Sequence, residues 1–191
     1  PILGKSGGVQ FDAISCPVST GRGSVMIIAL IAVGTMFVAF GLSQIAAVVW
    51  EHRRRYINFR AARRYATAVG KPLLVVGRPS GLIRTYSEGD VTLDIDPRVA
   101  EECRSGYVAD VRQIAFPDKH FGSAFCSHVL EYLPDVVGFE KAVAELNRVA
   151  EKVFICYTLP LTIWWRFFSI YQHLWLSEGS NGRLRAQRRP W

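Results

Sequence analysis

The chain has 191 residues, half of them apolar, which is enough for one domain with a modest core. Its net charge of +7 is unevenly placed: residues 51–66 carry +5 and residues 161–191 carry +4, whereas residues 67–160 sum to −3. A mildly acidic centre between two basic flanks argues against a nucleic-acid-binding face and for anionic lipid headgroups as partners.

Residues 1–24, with Gly4, Gly7, Gly8, Gly21 and Gly23, read as an irregular extracytoplasmic tail. From Val25 to Trp50 the chain carries no charge. At ~1.5 Å per residue this run exceeds the ~30 Å hydrocarbon core of a bilayer, so it predicts one transmembrane helix. A cleaved signal peptide is shorter and ends in small residues, whereas this run ends on Trp50 and an arginine cluster. Trp50 fits the aromatic belt, and Arg53, Arg54 and Arg55 place the C-terminal side in the cytoplasm. The expectation is therefore a single-pass protein of the inner (plasma) membrane, with its N-terminus outside. Gly34 and Gly41 are seven apart and share a helix face, which permits close helix packing. Cys16 precedes the apolar run, so it is no lipoprotein cleavage site. Cys103, Cys126 and Cys156 form no CxxC pair and read as buried, reduced thiols.

Residues 51–70 continue as a basic juxtamembrane helix, and residues 71–160 as an α/β domain. LLVVG (73–77), VTLDID (91–96), GYVAD (106–110), FGSAFCS (121–127) and VFICY (153–157) predict five strands, with a helix over Leu133–Ala150. That alternation predicts a Rossmann-like, mainly parallel sheet covered on both faces, with its ligand site at the carboxyl ends of the strands. Gly77, Asp94, Asp96, Asp110 and Ser127 all fall at such ends. The three acids suit either ligand contact or the capping of turns and helices. His128 and Glu131 lie three apart, but with no third ligand in evidence they read as a polar pair at a helix start rather than a metal site. Phe116-Pro117-Asp118 reads as a turn.

Beyond Pro160, LTIWWRFFSIYQHLWL (161–176) places Trp164, Phe168, Tyr171 and Trp175 on one helical face. It suits an interfacial amphipathic helix or, equally, a core helix closing the sheet. A loop over Glu178–Asn181 and a basic end with Arg183, Arg185, Arg188 and Arg189 follow.

The stretch YVADVRQIAFPDKHFGSAFCSHVLEYLPD (107–135) resembles the middle of a class I S-adenosylmethionine-dependent methyltransferase of type 11. LLVVGRPSG (73–81) stands at that family's glycine-rich first motif, VTLDIDP (91–97) at its second, and AVAELNRVAEKVFICYTLP (142–160) at its helix and fifth strand. The resemblance implies that the Gly77–Gly81 loop approaches the methionine part of S-adenosylmethionine. It implies that Asp94 holds the ribose hydroxyls and Asp110 the adenine amine, with backbone at Ser127 and His128 on the methionine side. Several positions depart from the family pattern. Val75 replaces an acid, Pro79 a glycine and Gly122 a frequent Asp. The segment from Gly81 to Asp94 is short for a full helix, and the chain is expected to stop before the family's closing β-hairpin.

Those departures imply a non-catalytic accessory subunit of a larger integral membrane complex, photosynthetic or respiratory by analogy, needing no cofactor. The alternative is a membrane-anchored methyltransferase acting on a lipid, quinone or pigment-like substrate, with S-adenosylmethionine as cofactor and His128 or Tyr132 as base. A binding module that senses a nucleoside is a third class. Other integral membrane subunits and the bilayer are the expected partners; nucleic acid and metal are not.

Overall fold

A computed structural model describes residues 21–78, 86–158, 172–179 and 183–189. The chain divides into two compact units, Pro1–Leu42 and Ser43–Trp191, and one helix, α1 (Gly21–Ala68), runs from the first into the second.

In the first unit, side chains such as Ile28, Leu30, Met36 and Phe37 are all more than half exposed. A helix that is apolar all round has no aqueous face to offer. Thr35 Oγ1 donates within the helix to Ile31 O or Ala32 O, both at 2.9 Å. A helical hydroxyl bonded in this way is satisfied within its own helix. Among the described residues, α1 is the one helix long and apolar enough to cross a membrane.

The second unit is built on a five-stranded parallel sheet in the order β3-β2-β1-β4-β5. Its strands are β1 (Leu73–Val76), β2 (Val91–Asp94), β3 (Gly106–Val108), β4 (Phe121–Ser127) and β5 (Ala150–Cys156). β1 and β4 are buried throughout, as central parallel strands covered on both faces must be. Alternate β1 residues face opposite layers. Leu74 and Val76 pack with α3 (Val136–Val149) through Phe139, Ala142, Leu146 and Val149. Their spacing along α3 is that of one helical stripe. Leu73 and Val75 pack with Phe59, Ala62 and Ala66 on the C-terminal part of α1. That part of α1 is therefore a structural layer of the domain. The approach is close: Ser123 Oγ donates to Ala62 O at 2.8 Å, and a Cβ built on Gly122 would lie 2.9 Å from Ala66 Cα.

Asp135 caps α3, its Oδ1 accepting from Gly138 N at 2.6 Å. Asp96 caps the short α2 (Pro97–Glu101), accepting from Arg98 N at 2.9 Å. Cys103, Cys126 and Cys156 are free and buried.

The end of the chain corrects the sequence reading. An antiparallel pair, β6 (Leu174–Glu178) and β7 (Leu184–Arg188), forms a second small sheet where a helix and basic tail were expected. It is not bonded to β5; Leu174 and Leu176 insert into the α3-side core while Trp175 and Ser177 point outward. Period-two burial, not a helical face, therefore governs Leu174–Leu176, and Glu178 and Arg183–Arg189 belong to or flank strands rather than loop and tail. The rest of the expected aromatic helix, residues 161–171, lies outside the described residues, as do Pro79 and Gly81.

Candidate functional site

The strand order reverses direction at β1, so the connections that leave the paired strands β1 and β4 part at their carboxyl ends, where such sheets open a crevice. A cleft of about 320 Å³ occupies that place, at the lower end of the range for small-molecule sites. Gly77, Asp94 and Asp110 all line it, together with His128, Val129 and Tyr132. Three of the four expected cofactor residues thus converge; Gly81 is outside the described residues.

Gly77 follows β1 with φ +81°, and a Cβ there would meet Val129 Cγ2 at 2.7 Å. Only glycine turns the chain this way while leaving the crevice open. The turn is fixed by Asp94 at the end of β2: Oδ2 accepts from Arg78 N at 3.1 Å and Oδ1 from Asp96 N at 3.0 Å. A carboxylate has about four acceptor directions. Asp94 therefore retains capacity to accept from a pair of ligand hydroxyls.

Asp110 differs. Its Oδ1 accepts from Arg112 N at 2.8 Å and Arg112 Nε at 3.0 Å, and its Oδ2 accepts from Nη2 at 2.5 Å. The Arg112 guanidinium holds this carboxyl below its ordinary range. The expected adenine acid is thus already committed to a neighbour two residues on.

Val75 is fully buried in the apolar cluster with Phe59 and Phe125. Gly122 is pressed against Ala66, Val69 and Lys71. Both departures from the family pattern lie beneath α1, where an acid would be buried against a helix.

The ends of β4 and β5 hold a second group that the sequence reading missed. His128, with φ +55°, places Nε2 3.0 Å from Glu51 Oε1 and Nδ1 2.9 Å from Thr158 Oγ1. Nδ1 is also 3.4 Å from Glu131 Oε1, which accepts from Thr158 N at 2.8 Å. Arg55 pairs with Glu51 from one helical turn away. Burial opposes charge on Glu51, but His128 and Arg55 outweigh it and hold the carboxyl below its usual range. Burial likewise opposes charge on His128, but Glu131 and Glu51 raise it above its usual value. The two carboxylates face opposite ring nitrogens, so they cannot converge on one cation. Among the described residues, no group of three or more His, Cys, Asp or Glu is placed to hold a metal. His128 and Glu131 are a polar pair at the start of the 3-10 turn Leu130–Tyr132, and the pair is mostly buried. The missed signal was Glu51 itself, the first charge after the apolar run.

The model of the methyltransferase domain family matches residues 76–155. No curated protein matches the sequence. Among solved structures, a complex between the Haloferax volcanii Trm112 methyltransferase activator and a methyltransferase aligns at 16% identity and TM-score 0.34, covering 56% of this chain and 55% of that one. A SAM-dependent methyltransferase from Methanosarcina mazei aligns at 17% and 0.38, covering 62% and 72%. The PH0226 protein of Pyrococcus horikoshii aligns at 16% and 0.40, covering 71% of each chain. This chain thus spans about half the length of the Haloferax chain. Overlaps at these scores add nothing to the sheet order and the family match. Those two observations together make the sheet domain that holds the cleft a class I methyltransferase-type domain.

Proposed function

We propose that the chain is a single-pass membrane protein whose cytoplasmic domain is an S-adenosylmethionine-dependent methyltransferase for an amphiphilic acceptor at the bilayer surface. The observation that carries this reading is Asp94. It fixes the Gly77–Arg78 turn and keeps lone pairs directed at the crevice where the sheet order reverses.

The cofactor, when bound, supplies an electrophilic methyl group on a sulfonium. Gly77 and Asp94 would hold its glycine-loop side and ribose, and the apolar walls at Leu93, Val111, Val129 and Leu133 would exclude water. Of the two candidate bases, His128 has both ring nitrogens facing protein partners. Tyr132, 46% exposed and on the cleft wall, is the better-placed group to take an acceptor proton. Trp50 and the arginines that follow it support a cytoplasmic domain and acidic-lipid contact.

A second reading, a non-catalytic accessory subunit of a membrane complex, is favoured by Val75 and Gly122 lying under α1 and by Asp110 being held by Arg112. Titration of S-adenosylmethionine into the full chain in detergent micelles, followed by calorimetry, separates the two. Micromolar binding that Asp94→Ala abolishes supports the enzyme. No binding, with stable co-purification of other membrane subunits, supports the accessory role and overturns the first reading.

A further inference from the structure

A second concavity lies away from the Gly77 crevice, on the α1-covered face of the domain. It measures about 920 Å³ and is lined by Arg60, Arg63 and Arg64 of α1, Arg78 after β1, and Arg104 before β3. Two acids, Glu88 and Asp90, share the lining, so among the described residues arginine exceeds acid by five to two. Tyr56, Phe59 and Tyr86 supply an aromatic wall.

The two acids are already engaged. Asp90 Oδ1 accepts from Arg63 Nη1 at 2.7 Å and its Oδ2 from Leu73 N at 2.7 Å, and burial is outweighed so that this carboxyl stays below its usual range. Glu88 Oε2 accepts from Arg104 N at 2.8 Å, and its carbonyl accepts from Arg63 Nη2 at 3.1 Å. Arg78 pairs with Glu102 at the rim, and Arg60 lies against Tyr56, donating to its Oη at 2.9 Å. Among the described residues, neither Arg64 nor Arg104 has an acid partner for its guanidinium, and both are exposed. Beside this aromatic wall, the guanidiniums of Arg64 and Arg104 leave positive charge that the described acids do not pair. Planar forks of N–H donors match the oxygens of phosphate.

We infer that this cleft binds a phosphate-bearing ligand through Arg60, Arg64 and Arg104, with the ligand's apolar part on Tyr56 and Tyr86. The phosphate belongs either to an acidic phospholipid headgroup or to a soluble phosphorylated molecule. Position favours the lipid: Tyr56 is about 9 Å and Arg60 about 15 Å along α1 from Trp50, just beyond the headgroup layer of a bilayer. The inference does not rest on cofactor binding at the Gly77 crevice.

The test uses the full chain in neutral detergent, titrated by calorimetry with dioctanoyl phosphatidic acid and, separately, with glycerol 3-phosphate. Saturable one-to-one binding is expected, weakened about tenfold or more in R64A/R104A and changed less than about twofold in R53A/R98A. The control pair removes the same charge from exposed arginines outside the cleft. Tight binding of the phosphatidic acid alone assigns a lipid; equal binding of both probes assigns a soluble phosphate. Equal weakening in both double variants would mean diffuse surface attraction and overturn the inference, as would no binding of either probe. Unchanged melting temperatures in both variants keep the comparison one of binding.

Discussion

The two halves of the sheet's carboxyl edge hold their charges in different ways. At β1, β2 and β3, Asp94 and Asp110 bond to nearby amides and a guanidinium on the wall of an open cleft. At β4 and β5, Glu51, His128 and Glu131 are mostly or fully buried and answered chiefly by one another, by Arg55 and by Thr158. The first half is open to a cleft. The second is closed by α1, whose Glu51 enters from the helix that carries the apolar run. A helix that supplies a buried ion pair and the cover for β4 from beyond its apolar run is a layer of the domain, not a tether to it.

The comparison breaks most readily at the contact between α1 and β4. Gly122→Asp would restore the residue frequent in the family and drive a carboxylate against Ala66 and Val69. A loss of about 3 kcal/mol or more in unfolding free energy is expected, read by denaturant melts of the full chain. A near-neutral result would show that α1 does not cover β4 as closely as described.

Next comes Glu51→Ala, which leaves His128 and Arg55 buried without their shared carboxylate. A cost of about 3 kcal/mol is expected. The same cluster sets a pH window. The raised His128 contributes stability that is full below about pH 6.5 and lost as pH rises through its folded value. The lowered Glu51 contributes stability present above about pH 4.5 and lost as pH falls through its own folded value. Thermal melts across pH should therefore peak between those limits, and Glu51→Ala should remove its own acid flank and reduce the alkaline one, which Glu131 still supports.

The open half predicts smaller effects, on binding rather than folding. Asp94→Ala should weaken S-adenosylmethionine by about tenfold or more, because two ribose hydrogen bonds and the turn geometry go together. Asp110→Ala should change affinity by less than about threefold, since Arg112 already occupies that carboxylate. Equal losses at both acids, read by calorimetry, would show that Asp110 gives up Arg112 to the ligand.

Much of the sheet was legible because LLVV, VTLD and FGSAFCS are continuous or alternating apolar runs, the first followed by glycine and the second ending in an acid. The convergence of Gly77, Asp94 and Asp110 followed from the rule that parallel sheets bind at their carboxyl ends. The hairpin was hidden because Leu174, Trp175 and Leu176 also extend the helical spacing of the aromatic run before them. Period two and period 3.6 overlap over three residues, and tertiary burial of the two leucines decides between them. Glu51 was unreadable for another reason. Beside Trp50 and three arginines it has the context of a solvated boundary residue, and only the fold brings His128 to it.

Hydrogen–deuterium exchange on the full chain, with and without S-adenosylmethionine, tests the division of the edge most directly. The account predicts that amides of Phe59–Ala66 are as slow as those of β1 in both states, and that added cofactor slows exchange at Gly77–Arg78 and Asp94–Asp96. Fast exchange across Phe59–Ala66, or cofactor protection appearing there instead of at Gly77 and Asp94, would contradict it.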